Sequence, residues 1–251
     1  MSGGHSLLEL DDVNAYYGQS HILWDISMRV EEGEICALLG RNGAGKTTTL
    51  RSIAGARPPE VRSGTVRFEG DDITDDSTEN ISSRGISLVP EERRIFPNLT
   101  VAENLHLSDV SRNWSNRVGR ALSFGEAGLS NEEVYEQFPR LDERRTQHAG
   151  TLSGGEQQML AIARALKQGG DIMMLDEPYE GLAPQIIQSV EDAIRRISES
   201  GMTILLVEQN AVAAMKIADR AYVLDQGEIV FDGTADALRK DEETRERYLG
   251  V

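Results

Sequence analysis

One cysteine, four lysines and no long apolar run set the first limits on this 251-residue chain. Cys36 has no second cysteine to pair with, so no disulfide can form within the chain, which fits a reducing compartment. No apolar stretch approaches the ~20 residues that a membrane-spanning helix needs. Met1 to Ser6 lack a basic segment leading into an apolar one, so no secretory leader is expected. Basic charge is scarce: 26 Lys and Arg face 42 Asp and Glu, a formal net charge of -16. That balance argues against a general nucleic-acid binder, which needs a basic face for the phosphate backbone. Lysine occurs only at Lys46, Lys167, Lys216 and Lys240, the other basic residues being arginine. A strongly acidic surface poor in lysine suits high salt, where self-repulsion is screened. His5, His21, His106 and His148 show no metal-ligand spacing.

What is present is organised around Gly40-Arg41-Asn42-Gly43-Ala44-Gly45-Lys46-Thr47-Thr48, which meets the pattern G-x-x-x-x-G-K-[ST] at every fixed position. Ile35 to Leu39 before it is a short apolar run, read as a buried parallel strand. Lys46 to Ala54 after it is read as a helix that stops at Gly55. Glycines let backbone N–H groups approach phosphate oxygens with no Cβ in the way, and the helix points its positive end at the same anion. Lys46 is expected on the β- and γ-phosphates and the Thr47 hydroxyl on Mg²⁺.

Before this loop, Leu7 to Val13 and Ile22 to Val30 read as strands, with an aromatic turn at Tyr16-Tyr17-Gly18. After it come a strand from Gly64 to Gly70, a polar loop with a short helix from Asp71 to Asn80, and an apolar strand from Ile86 to Val89. From Leu99 to Thr151 the spacing turns helical, with Val134, Phe138 and Leu141 on one face. Arg112 to Gly128 is its least regular part, read as a mobile loop. Ser153 reads as a helix N-cap, followed by an apolar face of Met159, Ile162, Ala163 and Leu166 and a stop at Gly169-Gly170. A buried strand at Ile172 to Leu175 precedes a helix opened by Pro184, with Ile187, Val190, Ile194 and Ile197 on its apolar face. Thr203 to Val207 is a further strand, and a helix runs from Asn210 or Ala211 to Ala218. Tyr222 to Phe231 is a hairpin turning at Asp225-Gln226-Gly227, and the tail from Ala235 to Leu249 is helical.

Two other constellations carry chemistry. The strand at Ile172 to Leu175 delivers Asp176 to its C-terminal tip, where ligands bind in open α/β sheets. Asp176 suits Mg²⁺, and Glu177 suits the proton of an attacking water. Leu152-Ser153-Gly154-Gly155-Glu156-Gln157-Gln158 puts a hydroxyl and glycine N–H groups at a second helix start. A second phosphate site in a chain that already has one makes sense if it caps a nucleotide held by another subunit.

These three motifs, in this order, resemble those of ATP-binding-cassette (ABC) ATPases, and the likeness runs from Leu7 to Leu249. The stretches at 89–97, 151–165, 180–184 and 205–210 are similar to the LivF-type ATPases of branched-chain amino acid importers. The resemblance implies an α/β P-loop fold of ABC type: a mixed-sheet RecA-like core with an antiparallel β subdomain over 7–94 and 152–249, and an inserted helical subdomain over 95–151. It implies ATP and Mg²⁺ as ligands. It puts Tyr17 on adenine, residues 40–48 on the phosphates, Ser153, Gly154, Gly155 and Glu156 at the partner's γ-phosphate, and Thr47, Glu91 and Asp176 on Mg²⁺. Glu177, Lys46 and Gln209 carry the chemistry, and Gly181 to Ala183 cross the dimer interface. Glu91 and Gln209 stand where the wider family has glutamine and histidine, which is itself LivF-like. The resemblance further implies a second ATPase subunit in a homo- or heterodimer, two membrane permeases with a docking point at Ile95-Phe96-Pro97, an extracellular binding protein acting indirectly, and a place on the inner face of the membrane. An importer of urea or short-chain amides is the neighbouring alternative. A DNA-repair ABC protein would need a long coiled-coil insertion, and a ribosome-associated one a second cassette. A non-hydrolysing sensor would be expected to lose Lys46 or Glu177.

Overall fold

The computed structural model describes residues 6–116 and 129–251. In chain order its elements begin with strands β1 (Ser6–Tyr17), β2 (Ser20–Glu31) and β3 (Ile35–Leu39), helix α1 (Lys46–Ile53), β4 (Glu60–Phe68), β5 (Asp71–Asp72) and α2 (Thr78–Ser83). β6 (Ile86–Val89), α3 (Val101–Asn116), α4 (Asn131–Gln137), α5 (Pro139–Asp142), α6 (Gly154–Gln168), β7 (Ile172–Asp176) and α7 (Pro184–Glu199) follow. The chain ends with β8 (Thr203–Glu208), α8 (Ala211–Ile217), β9 (Arg220–Asp225), β10 (Glu228–Thr234), α9 (Ala235–Lys240), α10 (Glu242–Thr244) and a π-helical turn (Arg245–Leu249). They form two compact units, residues 1–82 with 203–251, and residues 83–202.

The first unit holds two layers of sheet. In one, β3 lies between β8 and β9 and runs parallel to both, and β10 returns antiparallel to β9. All five residues of β3 are buried, as a strand covered on both faces requires, which is why it reads as an unbroken apolar run. Gln226 and Gly227 both have positive φ, so the β9–β10 turn has the left-handed geometry that two-residue hairpins favour. The other layer is antiparallel, in the order β2-β1-β4-β5.

β1 is longer than its pattern suggests. Between the pairs Leu10↔Met28 and Val13↔Ile26 it carries one extra residue, and Asp12 takes φ 50° there. This bulge breaks the alternation after Leu10, yet the ladder continues to Tyr17↔Ser20. The aromatic pair therefore ends a strand, and only Gly18-Gln19 turn. Asn14 marks the second irregularity: it is buried, and its amide donates to Asp25 Oδ1 at 2.7 Å while Asp25 holds φ 46°.

In the second unit β6 and β7 pair in parallel, with α3, α4, α5 and α7 around the long helix α6. Val134, Phe138 and Leu141 are buried together as their spacing predicts. Residues 112–116 continue α3, and residues 117–128 of the stretch expected to be irregular lie outside the described residues. α7 opens on Pro184 and buries Val190, Ala193, Ile194 and Ile197, whereas Ile187, one turn from the helix start, stays half-exposed. Among the described residues no helix is long and apolar enough to cross a membrane.

Candidate phosphate-binding and hydrolytic site

The first unit positions the phosphate loop. β3 ends at Leu39, and α1 starts at Lys46 after Gly45 in the left-handed region, with no side-chain cap and no acid in its first turn. A Cβ on Gly40 would sit 2.4 Å from the Leu224 carbonyl oxygen, and one on Gly45 would sit 2.8 Å from Leu23 Cδ2 at φ 114°. Only glycine fits either place without displacing its neighbour. The β9–β10 turn supports the loop from behind, Gly227 N donating to Ala44 O at 2.8 Å. Lys46 is only 4 % exposed, and its Nζ donates to the carbonyls of Gly40 at 2.9 Å and Arg41 at 3.1 Å. The ammonium is thus held across the loop it serves. Arg41, Asn42, Gly43 and Thr47 are exposed, while Ala44, Gly45 and Thr48 are buried.

A helix start with no side-chain cap, no acid in its first turn and a lysine folded over the loop before it fits a polyphosphate. The Thr47 hydroxyl, exposed in the same turn, fits a Mg²⁺ ligand. Tyr17 is half-exposed at the end of β1, and Gln209 is exposed just after β8. Buried Glu208 beside it accepts from Asn210 N at 3.2 Å, which shapes the turn into α8.

The second unit holds the acids and the second helix start. β7 carries Asp176 to its tip, 7 % exposed, and the chain then bends sharply, with Glu177 at φ 45°. Glu180 N donates to Glu177 O at 3.0 Å, closing that bend. Glu180 was given no role by its sequence, yet its carboxyl lies beside those of Glu177 and Glu91. The charge of Glu91 first, then burial and Glu177, pushes the Glu180 carboxyl above the ordinary range. Its place three residues after Glu177, in a tight turn, was the available signal. Arg93 was also missed. Its Nε donates to Gln158 Oε1 at 3.0 Å and its Nη2 to Glu180 O at 3.4 Å, so it joins the Glu91 loop to α6 and to the bend after β7. Nothing in local spacing announces such a tertiary strut.

Ser153 is the N-cap of α6, as its pattern predicts, and the cap is reciprocal. Ser153 Oγ accepts from Glu156 N at 3.4 Å and donates to Glu156 Oε2 at 2.8 Å, while Ser153 N donates to the same carboxylate at 2.9 Å. Arg144 pairs with the other oxygen of Glu156. Burial would raise the Glu156 pKa, but the bonds from Ser153 and Arg144 outweigh it and hold the carboxyl below its ordinary value. Gly155 is buried and packed so closely that a Cβ would sit 2.0 Å from Ile186 Cγ2, while Gly154 is half-exposed. Phe96 is 45 % exposed, with the Arg164 guanidinium 4.8 Å from its ring centroid, and Ile95 is half-buried.

The family model described as ABC transporter matches residues 23–180. The chain is 44 % identical over 244 residues to the high-affinity branched-chain amino acid transport ATP-binding protein BraG of Pseudomonas aeruginosa, covering 97 % of this chain and 100 % of that one. It is 36 % identical over 249 residues to a probable branched-chain amino acid transport ATP-binding protein, LivF, of Archaeoglobus fulgidus, covering 98 % and 99 %. Among solved structures, the ADP conformation of MJ1267, an ATP-binding cassette of an ABC transporter, matches with a TM-score of 0.79 at 24 % identity, covering 96 % of this chain and 97 % of that one.

Proposed function

The chain belongs to the ABC transporter family, and from that membership we propose that it is the ATP-hydrolysing subunit of an importer for branched-chain or related amino acids. The observation that carries the reading is the start of α1: uncapped, acid-free, glycine-bedded and overlaid by Lys46. The near-full-length likeness to two branched-chain amino acid transport ATP-binding proteins supports the cargo.

In this reading residues 40–48 bind the phosphates, Lys46 leaves its loop carbonyls for the β- and γ-oxygens, and Tyr17 stacks on adenine. Thr47, Glu91 and Asp176 would hold Mg²⁺, which would supply positive charge to offset that of the phosphates. Glu177 takes the proton of the attacking water. Gln209 donates an amide hydrogen bond to the γ-phosphate and brings no positive charge. Ser153, Gly154 and Gly155 approach the nucleotide of a second ATPase subunit, with Glu156 holding that turn in shape. Two membrane permeases, fed by an extracellular binding protein, complete the assembly and keep this subunit on the inner face of the membrane.

The deciding experiment is Glu177→Gln, which keeps size and hydrogen bonding but removes the base. ATP binding should persist, hydrolysis should fall by roughly 10²–10⁴-fold, and light scattering should show an ATP-held dimer. Hydrolysis at the wild-type rate would overturn the assignment of the base. Exposed Phe96 supports the permease contact: Phe96→Ala should leave ATP affinity alone and weaken co-purification with the permeases by about 1–3 kcal/mol. Undiminished co-purification would remove Phe96 from that contact. The charge of -16 supports a salt-adapted surface, so the melting temperature should climb from low to molar KCl, and a flat curve would count against it.

A further inference from the structure

The β1–β2 hairpin and Arg62 of β4 together build a stack of four side chains that ATP chemistry does not call on. The Arg62 guanidinium lies 4.4 Å from the centroid of the Tyr16 ring. Tyr16 and His21 stack at 4.1 Å with their planes 11° apart, and Trp24 closes on His21 at 3.6 Å. The register explains how residues three apart can meet. Ala15 pairs with Leu23 and Tyr16 with His21, so Ile22 is an extra residue in β2. Trp24 is 46 % exposed, a large aromatic surface to leave in water for packing alone.

The stack is bonded to the turn at one end and to the phosphate loop at the other. Arg62 Nη2 donates to the carbonyl of Gly18, the residue after Tyr17, at 2.6 Å, and Arg62 Nε donates to Glu60 at 3.0 Å. His21 Nε2 lies 2.9 Å from Oδ1 of buried Asn14, which fixes the ring. Trp24 N donates to Gly227 O at 2.8 Å, and Gly227 N donates in turn to Ala44 O inside the phosphate loop at 2.8 Å. One continuous set of contacts therefore links the tip of the β1–β2 hairpin to the backbone that cradles phosphate.

We propose that Arg62, acting through Tyr16, His21 and Trp24, is a positioning residue for the nucleobase: it holds the Tyr17 turn in register with the phosphate loop before ATP arrives. The inference rests on Tyr17 being the adenine-stacking residue. Tyr17 ends the strand, and Gly18 and Gln19 beyond it are exposed. Without the bond to Gly18 O, the turn is ordered only when the base binds, and binding bears that entropy.

The test uses the full chain with Arg62→Ala. Arg62 is exposed, so the substitution should fold, and its melting temperature checks that. Affinity for ATP should fall roughly 5- to 30-fold, the loss that freeing about one residue's worth of backbone order predicts. Affinity for inorganic tripolyphosphate, which has no base, should not move. KM for ATP should rise with kcat unchanged, and Arg62→Lys, able to reach the carbonyl but not to lie flat on Tyr16, should recover part of the loss. If ATP and tripolyphosphate weaken together, Arg62 braces the phosphate loop in general and the proposal fails; it fails also if neither weakens. Tyr17→Ala separates the two readings. If it leaves ATP affinity intact, Tyr17 does not stack on the base. If it weakens ATP while Arg62→Ala does nothing, only the positioning role is lost.

Discussion

α1 begins with Gly45 in the left-handed region, no capping side chain and no acid in its first turn; α6 begins with Ser153 in an extended conformation, a reciprocal cap and Glu156 at its third position. Both starts present backbone N–H groups after glycine-containing loops, and both lie in motifs that bind phosphate by resemblance. They solve the same local problem in opposite ways. α6 satisfies its own end with a serine and a carboxylate, so it is ordered without a ligand. α1 leaves its end open and draws support instead from Lys46 and the β9–β10 turn. The open start can accept a polyphosphate without giving up a side-chain cap, Lys46 alone exchanging its loop carbonyls for phosphate oxygens. The capped start must share its serine with any incoming anion, and it brings a carboxylate to the meeting. The first suits tight binding of a nucleotide, the second a contact made and broken each cycle.

The largest effect that tests this contrast comes from paired substitutions. Lys46→Ala should abolish tight ATP binding by the isolated subunit and lower hydrolysis by at least about 10²-fold. Ser153→Ala should leave that binding unchanged and impair only ATP-dependent association, read by light scattering. Equal losses of ATP binding in the two variants would erase the distinction between the starts.

Gly45→Ser asks whether α1 can be given a cap of its own. Its hydroxyl would have to enter at φ 114°, with the new Cβ 2.8 Å from Leu23 Cδ2. The variant should lose about 1–3 kcal/mol of stability and bind ATP more weakly, by chemical denaturation and calorimetry. An unchanged denaturation midpoint would show that the open start is not imposed by packing.

The same Ser153→Ala variant should cost about 0.5–2 kcal/mol through the cap alone, a drop of a few degrees in melting temperature for a chain of this size. No change would mean that tertiary packing, not the cap, holds the first turn of α6.

The smallest effect is a pH dependence. The Glu156 carboxyl sits below its ordinary pKa in the folded chain, so its contribution is fully present above the unfolded value and is lost as pH falls through the folded one. The gap in melting temperature between the wild type and Glu156→Gln should therefore be constant near neutrality and close as pH drops below about 4.5. A gap that widens in acid would reverse the sign and remove the charge from the cap.

The contrast between the two starts was partly visible in the residues themselves. Five apolar residues ahead of G-x-x-x-x-G-K-T dictate a buried strand feeding a loop, and Ser153-x-x-Glu156 spells a reciprocal cap, because both depend on chain neighbours. The extension of β1 to Tyr17 was hidden by the extra residue at Asp11-Asp12, which shifts the inward face out of alternation. The links of Arg93 to Gln158 and Glu180, and of Arg62 to Gly18, join residues 44 to 87 positions apart, and short-range periodicity cannot reach so far. The closeness of Glu180 to Glu177 and Glu91 lies between these cases: the first neighbour is set by a tight turn, the second by tertiary packing.

The strand that carries the phosphate loop has both its sheet neighbours, β8 and β9, at the far end of the chain. On a ribosome, β3 and the loop leave the exit tunnel early and wait through the synthesis of most of the protein before Thr203 to Asp225 arrive to flank them. The prop at Gly227 comes later still. Nucleotide cannot rescue the nascent chain in that interval, because the bed that shapes its loop is not yet made; protease resistance of stalled chains should respond to ATP only once residue 227 has emerged. A messenger cut short before that point encodes a client for chaperones and proteases, not a weaker ATPase.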